Sequence, residues 1–417
     1  MRKILIVGAG QSGLQLALGL QSQGYEVTLM SNRTADEIRS GRVMSTQCMF
    51  DTALQNERDL QINFWESQAP RIEGAGVSVA APGSHAEPGG SQRAIDWVGK
   101  LDGYAQSVDQ RVKMAGWMET FAQRGGQLVI HGAAVSDLDF FASRYDLTLV
   151  SAGKGELVSM FGRNADRSPY DAPQRALAVA YVHGLGPRPE HPEFDAVRCN
   201  LVPGVGELFV MPTLTTSGRA DILFWEGIPG GPLDVFQSVK DPNEHLATTL
   251  ELMEKFLPWE YARATKVELT DANGTLAGRY APTVRNPIGR LPSGGLVLGV
   301  ADVVVANDPI TGQGSNSASK CAASYLASIV ERGEQPFDED WMQSTFERYW
   351  NTASHVTKWT NAMLAPPPEH VLNIIGAAGQ LQSVADRFAN GFNDPSDFEN
   401  YFYDPDKANA YLASQTG

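Results

Sequence analysis

Two stretches of this chain have the residue types and spacing to hold a phosphorylated cofactor. Near the start, Gly8-Ala9-Gly10-Gln11-Ser12-Gly13 follows the apolar run Ile4 to Val7. In a strand–turn–helix setting each glycine of this GxGxxG has a task. Gly8 permits the tight turn, Gly10 lets backbone approach a pyrophosphate, and Gly13 lets the helix pack on the strand. The helix start then offers free N–H groups and the positive end of its dipole to the anion. Far along the chain, Asp302 precedes Asp308-Pro309-Ile310-Thr311-Gly312-Gln313-Gly314-Ser315-Asn316. Asp302 is expected within a buried strand from Gly294 to Val305, its carboxylate reaching ribitol hydroxyls. The helix that follows Gly314 would face phosphate or a flavin ring. Pro309, Gly312, Gln313, Gly314 and Asn316 are the candidate contacts of this second clamp. A clamp at each end of the chain favours FAD over NAD, whose binding domain is usually contiguous.

The acid that usually holds the adenosine ribose is missing, because the second strand ends in Met30-Ser31-Asn32-Arg33. Losing one such charge-assisted bond is worth about 1–3 kcal/mol, which predicts weak or exchangeable cofactor binding. No second GxGxxG stands in a strand–helix setting, so no NAD(P)H site is expected. Ser/His/Asp sets, metal clusters and carboxylate pairs are likewise not evident, and the seven histidines are scattered. Cys48, Cys199 and Cys321 lie far apart, which argues against a disulfide framework or a zinc site and suits a reducing cytoplasm.

These residues need a scaffold. A helical pattern through Leu14, Leu16, Leu18 and Leu20 ends at Gly24, and Tyr25 to Met30 reads as the second strand. A helix from Val108 to Phe121 and strands at Gln127–His131 and Leu147–Ser151 extend the same layer. From about Leu177 to Thr270, short alternating segments between Gly/Pro-rich turns predict an inserted antiparallel sheet. A helix from Gly314 to Val330 precedes an aromatic helical tail broken by Pro366-Pro367-Pro368, read as packing surface. The fold class expected is α/β, an FAD-binding Rossmann-like domain carrying an inserted antiparallel substrate domain and a helical C-terminal region. Segments 1–72, 105–170 and 276–335 are assigned to the cofactor domain, 73–104 and 171–275 to the substrate domain, and 336–417 to the tail.

Of the 417 residues 42% are hydrophobic and 19% charged, ordinary values for a globular enzyme. A net charge of −15 repels phosphate backbones and anionic bilayers, so neither nucleic acid nor membrane is an expected partner. No apolar stretch approaches the roughly 20 residues of a membrane span.

Through GAGQSG (8–13), YDLTLVSAGK (145–154) and ADVVVANDPITGQGSN (301–316), the sequence resembles flavin aromatic monooxygenases of the p-hydroxybenzoate hydroxylase fold. With PQRAL (173–177) and Lys358-Trp359-Thr360-Asn361, it more closely resembles the two-component styrene/indole monooxygenases over essentially the whole chain. That resemblance implies reduced FAD delivered by a separate NADH-dependent reductase, reaction with O2, and transfer of one oxygen to an alkene-like bond through a flavin hydroperoxide. It leaves room for a homodimer. Within the family, an S-x-Q-x-M pattern marks the indole type and N-x-V-x-H the styrene type. Here Ser45, Gln47 and Met49 match the indole pattern, with Ile72 and Ala105 as further pocket positions, while Ala75 stands where isoleucine is expected. Gln47 reads either as the acceptor of an indole N–H or as plain lining. Met49 reads as a soft apolar wall or as core. Arg42 reads as a partner of the flavin or its phosphates, or as a surface arginine. A single-component NAD(P)H-dependent aromatic hydroxylase is the alternative reading, and a non-redox flavoprotein or a flavin carrier are others.

Overall fold

The computed structural model describes residues 2–84, 91–153 and 155–415; Lys154 of the YDLTLVSAGK run lies outside them. The chain opens with β1 (Lys3–Val7), α1 (Gln11–Ser22) and β2 (Glu26–Ser31), then α2 (Ala35–Arg39) and α3 (Asp51–Asp59). The pair β3 (Ile72–Ala80) and β4 (Arg93–Ala105) precedes α4 (Gln110–Gln123), β5 (Gln127–Ile130), α5 (Val135–Ala142) and β6 (Leu147–Val150). Next come β7 (Ala176–His183), β8 (Asp195–Val202), β9 (Gly206–Thr215) and β10 (Gly218–Gly227), then α6 (Pro242–Phe256) and α7 (Pro258–Ala264). Short strands β11 (Glu268–Leu269), β12 (Thr275–Gly278), β13 (Thr283–Val284), β14 (Ile288–Arg290), β15 (Leu296–Gly299) and β16 (Val305–Ala306) lead into α8 (Gly314–Arg332). The tail is helical: α9 (Glu339–Leu364), α10 (Glu369–Ala378), α11 (Gln382–Asn390), α12 (Phe398–Tyr401) and α13 (Pro405–Gln415).

The first sheet runs β14-β15-β6-β1-β2-β5 and is parallel except where β14 meets β15. Ile4 to Val7 are buried, as a continuous apolar run covered on both faces requires. Helices α1, α4 and α8 supply the cover: Leu14, Leu18, Met114, Trp117, Phe121, Ala318 and Tyr325 share one core with the strands.

The second sheet runs β11-β7-β10-β9-β8-β3-β4, with β12 also pairing to β7. It is antiparallel except for β3 beside β8, where Val77 pairs with Cys199. Period-2 alternation divides it cleanly. Leu208, Val210, Leu223 and Trp225 pack against Met253, Phe256 and Ala264 of α6 and α7. Phe209, Met211, Ile222 and Phe224 point the other way, onto Ile72, Ala105, Cys48 and Phe50. The tail covers the far end of this sheet: Trp97 of β4 donates its indole N–H to the Ile375 carbonyl of α10 (3.0 Å).

Two expectations need correction. The stretch read as wholly antiparallel contains α6 and α7, whose starts carry ordinary signals, Asp241 accepting from Asn243 and Glu244 N–H and prolines at Pro242 and Pro258. Asp302 is not in a strand. β15 stops at Gly299, Ala301 turns left-handed at φ +52°, and residues 301–303 form one 3-10 turn. The apolar run Val303 to Val305 imitates a strand because this turn is buried on its other sides.

Candidate cofactor and substrate site

Gly8 stands at φ +117°, a conformation that favours glycine, and a methyl group built on it would meet Ser151 and Ala152 backbone at 2.7 Å. A methyl on Gly13 would fall 2.0 Å from the Gly8 carbonyl oxygen, so α1 sits directly on its own turn. The corresponding space at Gly10 is open. No side chain caps the start of α1, and none caps α8, which begins after Gly312 at φ +63°. The two helices lie side by side and point the same way, since Gln15 donates to the Ser319 carbonyl (3.1 Å) and Gly19 faces Leu326. Two uncapped N-termini therefore open at the carboxyl edge of the parallel sheet, where an anionic cofactor is best received. Asp302 shares that edge: its Cβ lies 3.3 Å from a methyl built on Gly153. The non-glycine residue beside it, Ala301, holds a left-handed backbone worth roughly 1–3 kcal/mol of strain.

The other members of the second clamp have distinct places. Pro309 opens the turn 309–311, capped by Asp308. Gln313 is buried and donates to the Phe392 carbonyl (2.9 Å). Asn316 is occupied by protein: Oδ1 accepts from Phe50 N–H (2.8 Å), and Nδ2 donates to the Cys48 (2.8 Å) and Gly312 (3.2 Å) carbonyls. Its side chain ties the glycine loop to the pocket segment rather than presenting a free amide. Arg42 is exposed, within electrostatic range of His245 of α6, which burial and Arg42 together push down to about 4.

Ile72 and Ala105 are directly paired and fully buried in the apolar face made by Val43, Cys48, Phe50, Phe209, Met211 and Phe224. Ser45 is pinned there: its hydroxyl accepts from Gln110 Nε2 (2.7 Å) and its carbonyl from the Tyr181 hydroxyl (2.9 Å). Gln47 is 3% exposed, and neither end of its amide has a hydrogen-bond partner among the described residues. Of the two readings of Met49, the surroundings of its side chain favour core. Its backbone exchanges hydrogen bonds with Gln106 (2.9 Å each way), and strand-like alternation then sends Cys48 and Phe50 to the apolar face. Met49 faces the opposite side, with Ala53 and Leu54, its sulfur 3.2 Å from Lys113 Nζ.

That lysine was invisible to pattern reading. Lys113 Nζ reaches both Glu57 oxygens (2.8 and 3.1 Å), and Glu57 also accepts from Gln11 Nε2 (3.0 Å), the first residue of α1. All three are at most 6% exposed. A lysine set among Met114, Ala115 and Trp117 on a core-facing helix is the signal that could have exposed it. Arg175, within PQRAL, pairs with buried Glu207, and Glu226 lies opposite Glu207 across β9 and β10.

Comparison with known proteins decides the family. A family profile described as "Styrene monooxygenase A putative substrate binding domain" matches residues 153–263. A Pseudomonas fluorescens protein named styrene monooxygenase StyA is 30% identical over 416 residues, covering 97% of this chain and 96% of the relative. The chain belongs to the styrene monooxygenase family. Solved structures agree in fold: a flavoprotein/dehydrogenase from Cytophaga hutchinsonii superposes with a TM-score of 0.67 at 11% identity, over 95% of this chain and 96% of the other. A p-nitrophenol 4-monooxygenase from Pseudomonas putida does so at 0.62 and 13%, over 95% and 99%. As a member of this family the chain is an FAD-dependent monooxygenase, with the open glycine cradle and the two uncapped helix starts fitted to hold FAD. Among the described residues no helix is long and apolar enough to cross a membrane.

Proposed function

We propose that the chain is the oxygenase component of a two-component system, using reduced FAD from a separate NADH-dependent flavin reductase. Its substrates would be indole, oxidised across the 2,3-bond to an epoxide that opens to indoxyl and yields indigo in air, and styrene-like alkenes. The observation that carries the indole reading is Gln47, a buried amide without a hydrogen-bond partner among the described residues, two positions before Met49 and next to Cys48 of the apolar face. A bicycle with one N–H satisfies both features, and styrene satisfies only the second. Bound reduced FAD supplies the electrons that activate O2. The chain's own residues hold the cofactor at the two helix starts, fix the pocket segment through Asn316, and exclude water with the second sheet.

The deciding experiment combines purified protein, FAD and NADH, with and without any flavin reductase, and identifies the product from indole or styrene. Product is expected only with the reductase present. Substrate-stimulated NADH oxidation by the protein alone would instead establish the single-component hydroxylase. In the same assay kcat/KM for indole should exceed that for styrene two- to tenfold, roughly the worth of one hydrogen bond. Ser45→Asn, Gln47→Val and Met49→His together should erase that preference. A wild type that prefers styrene severalfold removes the substrate assignment and leaves the enzyme class untouched.

Asp302→Ala should weaken binding of reduced FAD and divert turnover toward hydrogen peroxide, because a loosely held cofactor admits water. Unchanged affinity together with unchanged peroxide yield would place Asp302 outside the cofactor site.

A further inference from the structure

We propose that Glu226 is the proton donor of the oxygenation site, a neutral carboxylic acid held on the pocket wall against the cofactor loop. The inference rests on the FAD-dependent monooxygenase activity of the family and extends it to a residue and a role. Leu177 pairs with Glu226, Val179 with Phe224 and Tyr181 with Ile222, so these six share one face of the second sheet. Glu226 in turn pairs with Glu207, two residues before Phe209 on the same face. Arg175 precedes Leu177 by two and forms an ion pair with Glu207 through Nε. The apolar face that includes Ile72 and Ala105 thus ends in a charged strip.

Asp308, at the head of the DP-x-x-GQG loop, comes within electrostatic range of Arg175, Glu207 and Glu226. Arg175, Glu207, Glu226 and Asp308 are 9%, 3%, 0% and 2% exposed. One guanidinium cannot neutralise three buried carboxyl groups, so protons must make up the difference. Arg175 is bonded to Glu207, whereas both Glu226 oxygens are buried without a hydrogen-bond partner among the described residues. That position suits an acid whose O–H is kept for whatever enters the pocket. Burial and the neighbouring carboxylates hold Glu226 well above the ordinary carboxylate range, while Glu207 and Asp308 are pushed up to about 7 and about 6. Two further groups face the strip, the Cys199 thiol from β8, which burial raises, and the Tyr280 phenol before β13, which is 42% exposed and donates to the Asn307 carbonyl.

The reaction needs such a proton. Anionic reduced flavin, O2, substrate and one proton give oxidised flavin, oxygenated substrate and water. Two electrons pass from flavin to O2, one oxygen atom enters the substrate, and the other leaves as water with the flavin hydrogen and the added proton. A site that excludes water must carry that proton itself. Glu226 gives it up during the reaction and regains it from solvent when the product leaves.

The test uses E226Q, which keeps the shape and hydrogen-bonding capacity of the neutral acid. In FAD-free protein near neutral pH, the infrared difference between wild type and E226Q should show the carbonyl stretch of a protonated carboxylic acid in the wild type alone. With chemically reduced FAD, O2 and indole or styrene, E226Q should bind FAD within about twofold of wild type. Its single-turnover product formation should fall roughly a hundredfold. A productive wild type without the infrared band overturns the donor role, and so does a variant that forms product at the wild-type rate. A wild type that oxygenates neither substrate overturns the substrate reading, and the donor role then stands or falls on the infrared band alone.

Discussion

Lys113→Met is expected to destabilise the protein by about 3–5 kcal/mol, because it leaves the Glu57 carboxylate buried without its counter-charge. Glu57 is fully buried, and its remaining partner is the Gln11 amide at 3.0 Å, which cannot neutralise it. Replacing both charges by Lys113→Met with Glu57→Leu should recover most of the loss, since a buried pair and a well-packed apolar pair are often close in energy. Recovery will fall short of complete, because Gln11 then keeps only Gln15 (3.2 Å). Denaturant midpoints of the two single variants and the double variant give the coupling directly. A Lys113→Met protein as stable as wild type would mean that water or rearrangement already compensates Glu57. Loss of the pair should also reach the cofactor, because Gln11 is the residue on which α1 begins.

Gly13→Ala should sharply weaken FAD binding, whereas Gly10→Ala should leave the FAD-free fold intact. The methyl group at Gly13 would stand 2.0 Å from the Gly8 oxygen and 2.7 Å from Ser151 Oγ, so α1 must lift from the strand that carries it. Overpacking of this kind is worth roughly 1–3 kcal/mol, about five- to a hundred-and-fiftyfold in affinity if it falls on the bound state. At Gly10 the added methyl meets no protein atom within 4 Å, only the space a pyrophosphate needs. Melting temperature should therefore drop for Gly13→Ala and stay constant for Gly10→Ala, while FAD titration shows weaker binding for both. Tight FAD binding by Gly10→Ala would remove the phosphate from that turn.

The glycine turn was legible because β1, α1 and β2 are local: their signals sit within thirty consecutive residues, and propensity and packing agree. The DP-x-x-GQG loop was legible as a helix start, but the backbone before it was not. Ala301 adopts a left-handed conformation that nothing in Val300-Ala301-Asp302 announces, and the valines after it satisfy a strand pattern equally well. Helices α6 and α7 were missed although Asp241-Pro242 and Leu257-Pro258 mark their starts, because the β texture before them set the reading. The two readings of Met49 could not be separated in sequence, because its direction turns on a single bridge to Gln106. The charges hardest to find join distant positions. Glu57 and Lys113 are 56 residues apart, and Glu207 meets Glu226 only through the β9–β10 register.

Strand β4 ends the second sheet, and its outer side is covered by helices from much further along the chain. Gly99 is so close to α11 that a methyl there would lie 2.1 Å from the Ala385 oxygen, and Trp97 bonds to Ile375, 278 positions later. During synthesis at roughly 5–20 residues per second, that border of the sheet emerges about 14–56 s before its cover exists. For that interval a bare β edge is open to pairing with other nascent chains on the same messenger.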